Sequence, residues 1–412
     1  MVAADLKRAV AAEPATTAQW LADLVRIPTV NPPGAAYVDL IAWLDEGCAA
    51  LGLTRQVHRV PDAVTTRVLG DASYPRLNLV ARWDVGAPRT VHFNAHYDVV
   101  PAAGPWRSGD PFVPHQAGGY LYGRGAADMK AAIAALLTAI AGLRRAGRQP
   151  AVNVECSFTA DEETGGELGA GYLVHQGAVQ ADCVVVCEGG AGAELGCGHN
   201  GVLWLDVEIL GKAAHAARPQ HGVNAFAQMA ALTVGLDRYR RSLAAARRSW
   251  TGPDGQRRSP TLTPGGVFGG GPGDKINTVP ARAHFSLDRR LVPGESVATV
   301  EDELRQAVAA AAGAAHCHVQ SLLRIDPCVV DPASAPAAAF ARAIRAVRRC
   351  QVQPRITAGF TDLHYFVVDA GLPGIGYGVR GAGAHGRDER VPVADVIQTA
   401  QVYAHFMLAG LS

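Results

Sequence analysis

Three short apolar runs, each stopping abruptly at acids or histidine, constrain this chain more than any other feature. Val91-His92-Phe93-Asn94-Ala95 runs into His96-Tyr97-Asp98, Val152–Thr159 leads to Asp161-Glu162-Glu163, and Cys183–Cys187 ends in Glu188. All are strand-length, and Val152–Thr159 and Cys183–Cys187 carry β-branched residues, so each reads as a buried strand. Between the first and second lies Met129–Arg145, an alanine-rich run of helical length. Such a succession of strands and helices implies a mostly parallel sheet flanked by helices. Open sheets of this kind gather ligands at the carboxyl ends of their strands, which is where these acids and imidazoles fall.

Upstream, Thr17–Val25 and Tyr37–Leu51 read as helices, Arg76–Ala81 and Arg89–Ala95 as strands. The character changes near residue 200. Val202–Leu210 alternates with period two, the mark of a sheet with one wet face. Helical Asn224–Tyr239, strand-like Leu262–Val267 and Ala281–Leu291, helical Val297–Ala312 and strand His318–Ile325 follow. That order, β-α-β-β-α-β, is a ferredoxin-like α+β sandwich. Helix Ala337–Arg348, strand-like Arg355–Ala358 and Gly374–Val379, and helix Val393–Leu408 return to α/β material. The reading is an α/β domain of residues 1–199 and 328–412, interrupted by a smaller domain of residues 200–327. A chain of 412 residues fits two cores better than one.

Composition removes several classes of function. A net charge of +1 offers nothing to a polyanion, and Arg238–Trp250 reads as a helix end and loop, not a nucleic-acid arm. No nucleic-acid partner is expected. Ala131–Leu143 is too short to span a bilayer, so no membrane partner is expected either. Met1–Thr17 lacks the apolar stretch of a secretory leader and carries Asp5 and Glu13. The cysteines form no Cys-x-x-Cys pair and several lie in apolar runs, as in a reducing compartment. The expectation is a cytoplasmic protein.

The chemistry rests on five segments. His96, Asp128, Glu163, Glu188 and His385 make two imidazoles and three carboxylates, enough for two zinc ions with a shared carboxylate. Asp98 can reach the second nitrogen of His96, as a metal-bound histidine requires. Asp128 stands at the start of the alanine-rich helix, where it could cap or bridge two cations. Glu162 and Glu163 point to opposite sides of an extended backbone, so one can bind metal while its neighbour, Glu162, stays free to handle a proton. His92 lies further from the sheet edge and reads as packing.

Together these segments resemble the M20 metallopeptidases, a group that includes acetylornithine deacetylase, succinyl-diaminopimelate desuccinylase, aminoacylase-1 and glutamate carboxypeptidase. The likeness starts at Leu24-Val25-Arg26-Ile27-Pro28-Thr29-Val30-Asn31-Pro32-Pro33-Gly34 and covers nearly the whole chain. It implies a zinc-peptidase α/β domain with an inserted lid and dimerisation domain, hence a homodimer. It implies one ion on His96 and Glu188, the other on Glu163 and His385, Asp128 bridging, Asp98 orienting His96, and Glu162 as general base. Cobalt and manganese are the alternative metals. Gly211–Pro219 resembles the lid motif whose histidine, His215 here, steadies the oxyanion in the partner's site. Asn277 and Arg290 match substrate-holding positions, and an ion pair of Arg290 with Asp288 is the rival role. Phe360, His364 and Gly386-Arg387-Asp388 depart from the pattern around the substrate. The implied reaction is hydrolysis of a small, carboxylate-bearing N-acyl amino acid. A carboxypeptidase or dipeptidase, a catalytically silent metal-binding relative, or an interaction protein are the rivals.

Overall fold

The structure is a computed structural model and describes residues 8–244 and 248–411. The first seven residues of the segment read as lacking a leader, and residues 245–247 of the segment read as a loop rather than a nucleic-acid arm, lie outside the described residues. In chain order the main elements are α1 (Pro14–Arg26), α2 (Tyr37–Ala50), β1 (Thr54–Arg59), β2 (Leu77–Trp83), β3 (Thr90–His96), α3 (Lys130–Arg145), β4 (Asn153–Thr159), β5 (Cys183–Ala191) and β6 (Glu194–His199). Then come β7 (Gly201–Leu210), α4 (Ala225–Gly235), β8 (Thr261–Gly270), β9 (Arg282–Leu291), α5 (Val297–Ala312) and β10 (His316–Ile325). The chain closes with α6 (Ala335–Arg348), β11 (Gln353–Thr357), β12 (Gly374–Gly378) and α7 (Val393–Ala409). It divides into two compact units, one of residues up to 198 with 330–357 and 361 onward, the other of residues 199–329 with 358–360.

The first unit is built on a sheet whose strands run in the order β1-β2-β4-β3-β5-β12-β6, with β11 beside β6. Its centre, β4, β3, β5 and β12, is parallel. β1 and β2 add an antiparallel edge. Burial on both faces explains the near-continuous apolar run of β5, where Val184, Val185 and Val186 are all inaccessible. Phe93 of β3 meets Tyr403 of α7 at a ring separation of 5.4 Å, and Phe340 of α6 meets Phe406 of α7 at 4.8 Å. This aromatic cluster fixes α6 and α7 on the sheet.

The second unit is a four-stranded antiparallel sheet in the order β8-β9-β7-β10. Leu203, Leu205, Val207 and Ile209 of β7 turn to the core with period two, against Phe285 and Leu287 of β9 and Leu304 and Val308 of α5. The strand order is the ferredoxin-like one. Where a single helix over Asn224–Tyr239 is expected, α4 ends at Gly235 and a separate helix runs over Asp237–Leu243. Glycine at the end of α4 is the weakest helix former in the segment. Among the described residues no helix is long and apolar enough to cross a membrane, and no disulfide is formed.

Candidate metal centre

Four strand ends and one helix start deliver the site within the first unit. His96 closes β3, Glu162 and Glu163 lie on the turn after β4, and Glu188 stands near the end of β5. Asp128 sits two residues before α3, and His385 lies in the loop after β12. Asp128 does not cap α3. Its two oxygens face different imidazoles instead, Oδ1 at 3.2 Å from His96 Nε2 and Oδ2 at 3.3 Å from His385 Nε2. Glu163 Oε2 lies 3.0 Å from the same His385 nitrogen. His96 is common to two sets of donor atoms lying within 4.8 Å of one another, one with Asp128 and Glu163, the other with Glu162 and Glu188. All five expected ligands are therefore brought together with Glu162, whose Oε2 is 3.8 Å from His96 Nε2.

The supporting hydrogen bonds explain how the turn is held. Asp98 accepts the backbone N–H of Glu162 at 3.1 Å, that of Glu163 at 3.2 Å, and the amide of Asn31 at 3.0 Å. Its carboxylate lies 3.4 Å from His96 Nδ1, which also donates to the Asp98 carbonyl at 3.1 Å. Asp161 adopts a left-handed backbone with φ of 61°. It is fixed there by Arg76 at 2.6 Å, Tyr37 at 2.8 Å and Asn31 at 3.1 Å. On β12 the Gly-Ile-Gly-Tyr-Gly sequence has a local cause, because a Cβ on Gly376 would lie 2.5 Å from the Glu188 carbonyl oxygen.

The electrostatics of the cluster follow from its crowding. Burial, then the neighbouring Glu188, pushes Glu162 well above the usual carboxylate range. Glu188 is raised by burial in the same way, and its Oε1 is buried without a hydrogen-bond partner. Burial raises Asp362, behind the site, to about 7. Asp128 resists burial and is held low by hydrogen bonds from His385 and His96. Burial opposes a proton on His96, but Asp128 and Asp98 raise its pKa well above the ordinary value. Asp128 and then Glu163 lift His385 to about 10. Crowded carboxylates, one with an orphaned oxygen, around two imidazoles are the donor set a pair of divalent cations satisfies.

Two residues beside the site were not anticipated, and His92, further along β3, was expected only to pack. Glu389 is fully buried and accepts the backbone N–H groups of Gly125, Ala127 and Asp128 along with Arg124, so it shapes the turn that presents Asp128. The acid stands four residues beyond His385, and that spacing was its one available signal. Lys130, buried and pushed down to about 7 by desolvation, donates to the carbonyls of Leu24 and Ile27. His92 is not mere packing: its ring bonds Glu155 and Ser157, each at 2.7 Å.

The remaining expected residues belong to the second unit. His215 is exposed, pairs with Thr278, and accepts the Ala217 N–H at 3.1 Å. Asn277 is its neighbour across that short pairing, its carbonyl accepting from Ala216. Arg290 on β9 is forked onto Asp288 at 2.8 and 2.9 Å, so its guanidinium already has an anion. Beside the metal centre, within the first unit, opens a cleft of about 720 Å³ lined by Asp128, Glu188, Gly190, Glu194, Arg355 and Arg380, among others.

Comparison with known proteins matches residues 92–409 to the family described as Peptidase family M20/M25/M40. Succinyl-diaminopimelate desuccinylase of Rhodospirillum centenum is 29% identical over 393 residues, covering 92% of this chain and 94% of that protein. Aminoacylase-1 of Sus scrofa is 28% identical over 403 residues, covering 93% of each. Among solved structures, human carnosine dipeptidase 1 superposes with a TM-score of 0.78 at 19% identity, covering 99% of this chain and 98% of that one.

Proposed function

Because the chain belongs to peptidase family M20/M25/M40, and is thereby a hydrolase of amide bonds, we propose that it removes the acyl group from a small N-acyl amino acid with two divalent cations, zinc foremost. His96 and Glu188 would hold one ion, Glu163 and His385 the other, with Asp128 shared. The observation that carries this is the Asp128 carboxylate, whose two oxygens each address a different imidazole. When bound, the pair of ions supplies an acidified water and a polarised amide carbonyl.

The residues of the chain supply the rest. Asp98 fixes the tautomer of His96 and, through two backbone N–H groups, the direction of Glu162. Glu162 takes a proton from the attacking water as the new C–O bond forms. It then hands that proton to the amide nitrogen as the C–N bond breaks, so the products are a carboxylate and an amine. The alternative role for Glu162, as a ligand grouped with His96 and Glu188, predicts metal loss when it is replaced.

The deacylase reading is favoured because two of its relatives are named as a desuccinylase and an aminoacylase. A dipeptidase or carboxypeptidase is the second reading, supported by the fold likeness to carnosine dipeptidase. The second unit, residues 199–329, is proposed as a lid that also forms a homodimer, with His215 as oxyanion donor and Asn277 and Arg290 near substrate. Cysteines that form no disulfide among the described residues suit a reducing, cytoplasmic setting.

Replacing Glu162 by alanine tests the assignment. Metal content by elemental analysis should stay at the wild-type level while turnover of N-acetyl, N-succinyl or dipeptide substrates falls about a hundredfold or more. Unchanged turnover, or loss of one ion, would remove Glu162 from the proton-carrying role.

A further inference from the structure

We infer that Arg380 is a carboxylate-binding residue of the first unit's cleft, so that the substrate carries an anionic carboxylate beyond the scissile amide. The inference rests on the deacylase reading above and narrows its substrate class. The cleft walls are mostly glycine and alanine and offer few directed contacts. Apart from Asp128 and Glu188, its charged lining is Glu194, Arg355 and Arg380. Glu194 and Arg355 neutralise each other in an ion pair. The Arg380 guanidinium makes no ion pair or hydrogen bond among the described residues, and the side chain is exposed. The cleft therefore holds one uncompensated cation away from the metal centre.

The backbone beneath that cation is anchored. The Arg380 N–H donates to Asp395 Oδ2 at 2.7 Å, and Asp395 Oδ1 is held by Arg348 at 2.6 Å. Ala382 exchanges two hydrogen bonds with Arg390, both 2.9 Å. A Cβ on Gly381 would lie 2.3 Å from the Ala127 Cβ, so only glycine lets this loop press against the residue before Asp128. A fixed loop spares the backbone part of the ordering cost of binding, and a guanidinium fork matches a carboxylate. Arg290 offers the opposite case, since its fork is filled by Asp288. Beyond the α-carboxylate that every N-acyl amino acid carries, this second anion could end the acyl group or belong to the amino-acid side chain; both place a carboxylate before Arg380.

The test uses the zinc-loaded full chain. Calorimetric titration with glutarate and with butyrate compares a second carboxylate with none. Wild type should prefer glutarate, and Arg380→Gln should weaken glutarate about ten- to a hundredfold, the range for a hydrogen bond to a charged group, with butyrate changed by less than about twofold. Arg380→Lys should keep part of the preference. Comparing N-succinyl with N-acetyl substrates, and N-acetylglutamate with N-acetylglutamine, tells the acyl source from the side-chain source by which pair loses its KM difference in Arg380→Gln. Arg355→Gln should cost less than Arg380→Gln; the reverse order overturns the assignment. So does a wild-type protein without glutarate preference, or an Arg380→Gln protein that retains it or loses both ligands alike. If wild type cleaves no amide at all, the deacylase reading fails, while the glutarate titration still decides on Arg380.

Discussion

At the scale of single residues, His385 carries the clearest consequence. Hydrogen bonds to Asp128 and Glu163 lift it to about 10, so the metal-free protein holds a proton there at neutral pH. A cation must displace that proton, because only neutral imidazole is a ligand. Binding is therefore expected to release about one proton or more near pH 7, and affinity to fall as the pH is lowered. Zinc titrations in buffers of different ionisation enthalpy measure this directly, and a heat independent of buffer would contradict it. His385 also shows what a glycine-rich loop does here: its φ of 60° is a left-handed conformation on a residue with a Cβ. The ring is turned there to meet the two carboxylates.

At the scale of elements, β3 and β4 are apolar on one face and polar on the other. His92 is in register with Glu155, Asn94 with Ser157 and His96 with Thr159. Asn94 bonds Ser157 and Thr159, and Thr159 bonds Asp362, so a buried polar row runs along the strands toward the metal-bearing edge. At its far end Glu155 meets His92 and Arg82. Burial alone would raise Glu155, but the His92 hydrogen bond and the Arg82 charge hold it below its ordinary value. Glu155→Gln should cost about 2 kcal/mol, within the range for a hydrogen bond to a charged group, since Arg82 keeps contact with water. A depressed folded-state pKa means this contribution is complete above the ordinary glutamate pKa and is lost as the pH falls through the folded value. Urea unfolding of wild type and variant should therefore converge in acid; a difference that stays constant from neutral pH down to about pH 3 would refute the account.

At the scale of the whole molecule, the two units have separate cores, and every proposed ligand lies in the first. Metal should stabilise only that unit, by about 2.7 kcal/mol when free zinc is a hundredfold above its dissociation constant. Hydrogen exchange with and without chelator should show lost protection in β3, β4 and β5 and none in β7, β9 and α5; uniform loss would show the units unfold as one. Much of this was legible in the sequence. Apolar runs ending in His96, Glu163 and Glu188 declared the strands and the groups that gather at their ends, since strand period and strand termini are local properties of the chain. The ferredoxin-like order followed from the alternation of Val202–Leu210 and its successors for the same reason. Other features had no local trace. β1 is mostly exposed, so too few apolar positions announced it. The grip of Glu389 on the Asp128 turn, the filling of the Arg290 fork by Asp288, and the freedom of Arg380 depend on which distant groups packing brings within hydrogen-bonding reach. Which residues stand at the sheet edge, and what chemistry they offer, is written locally in the chain; which charges are already satisfied and which remain for a ligand is set by packing, because charge compensation is a property of neighbours in space.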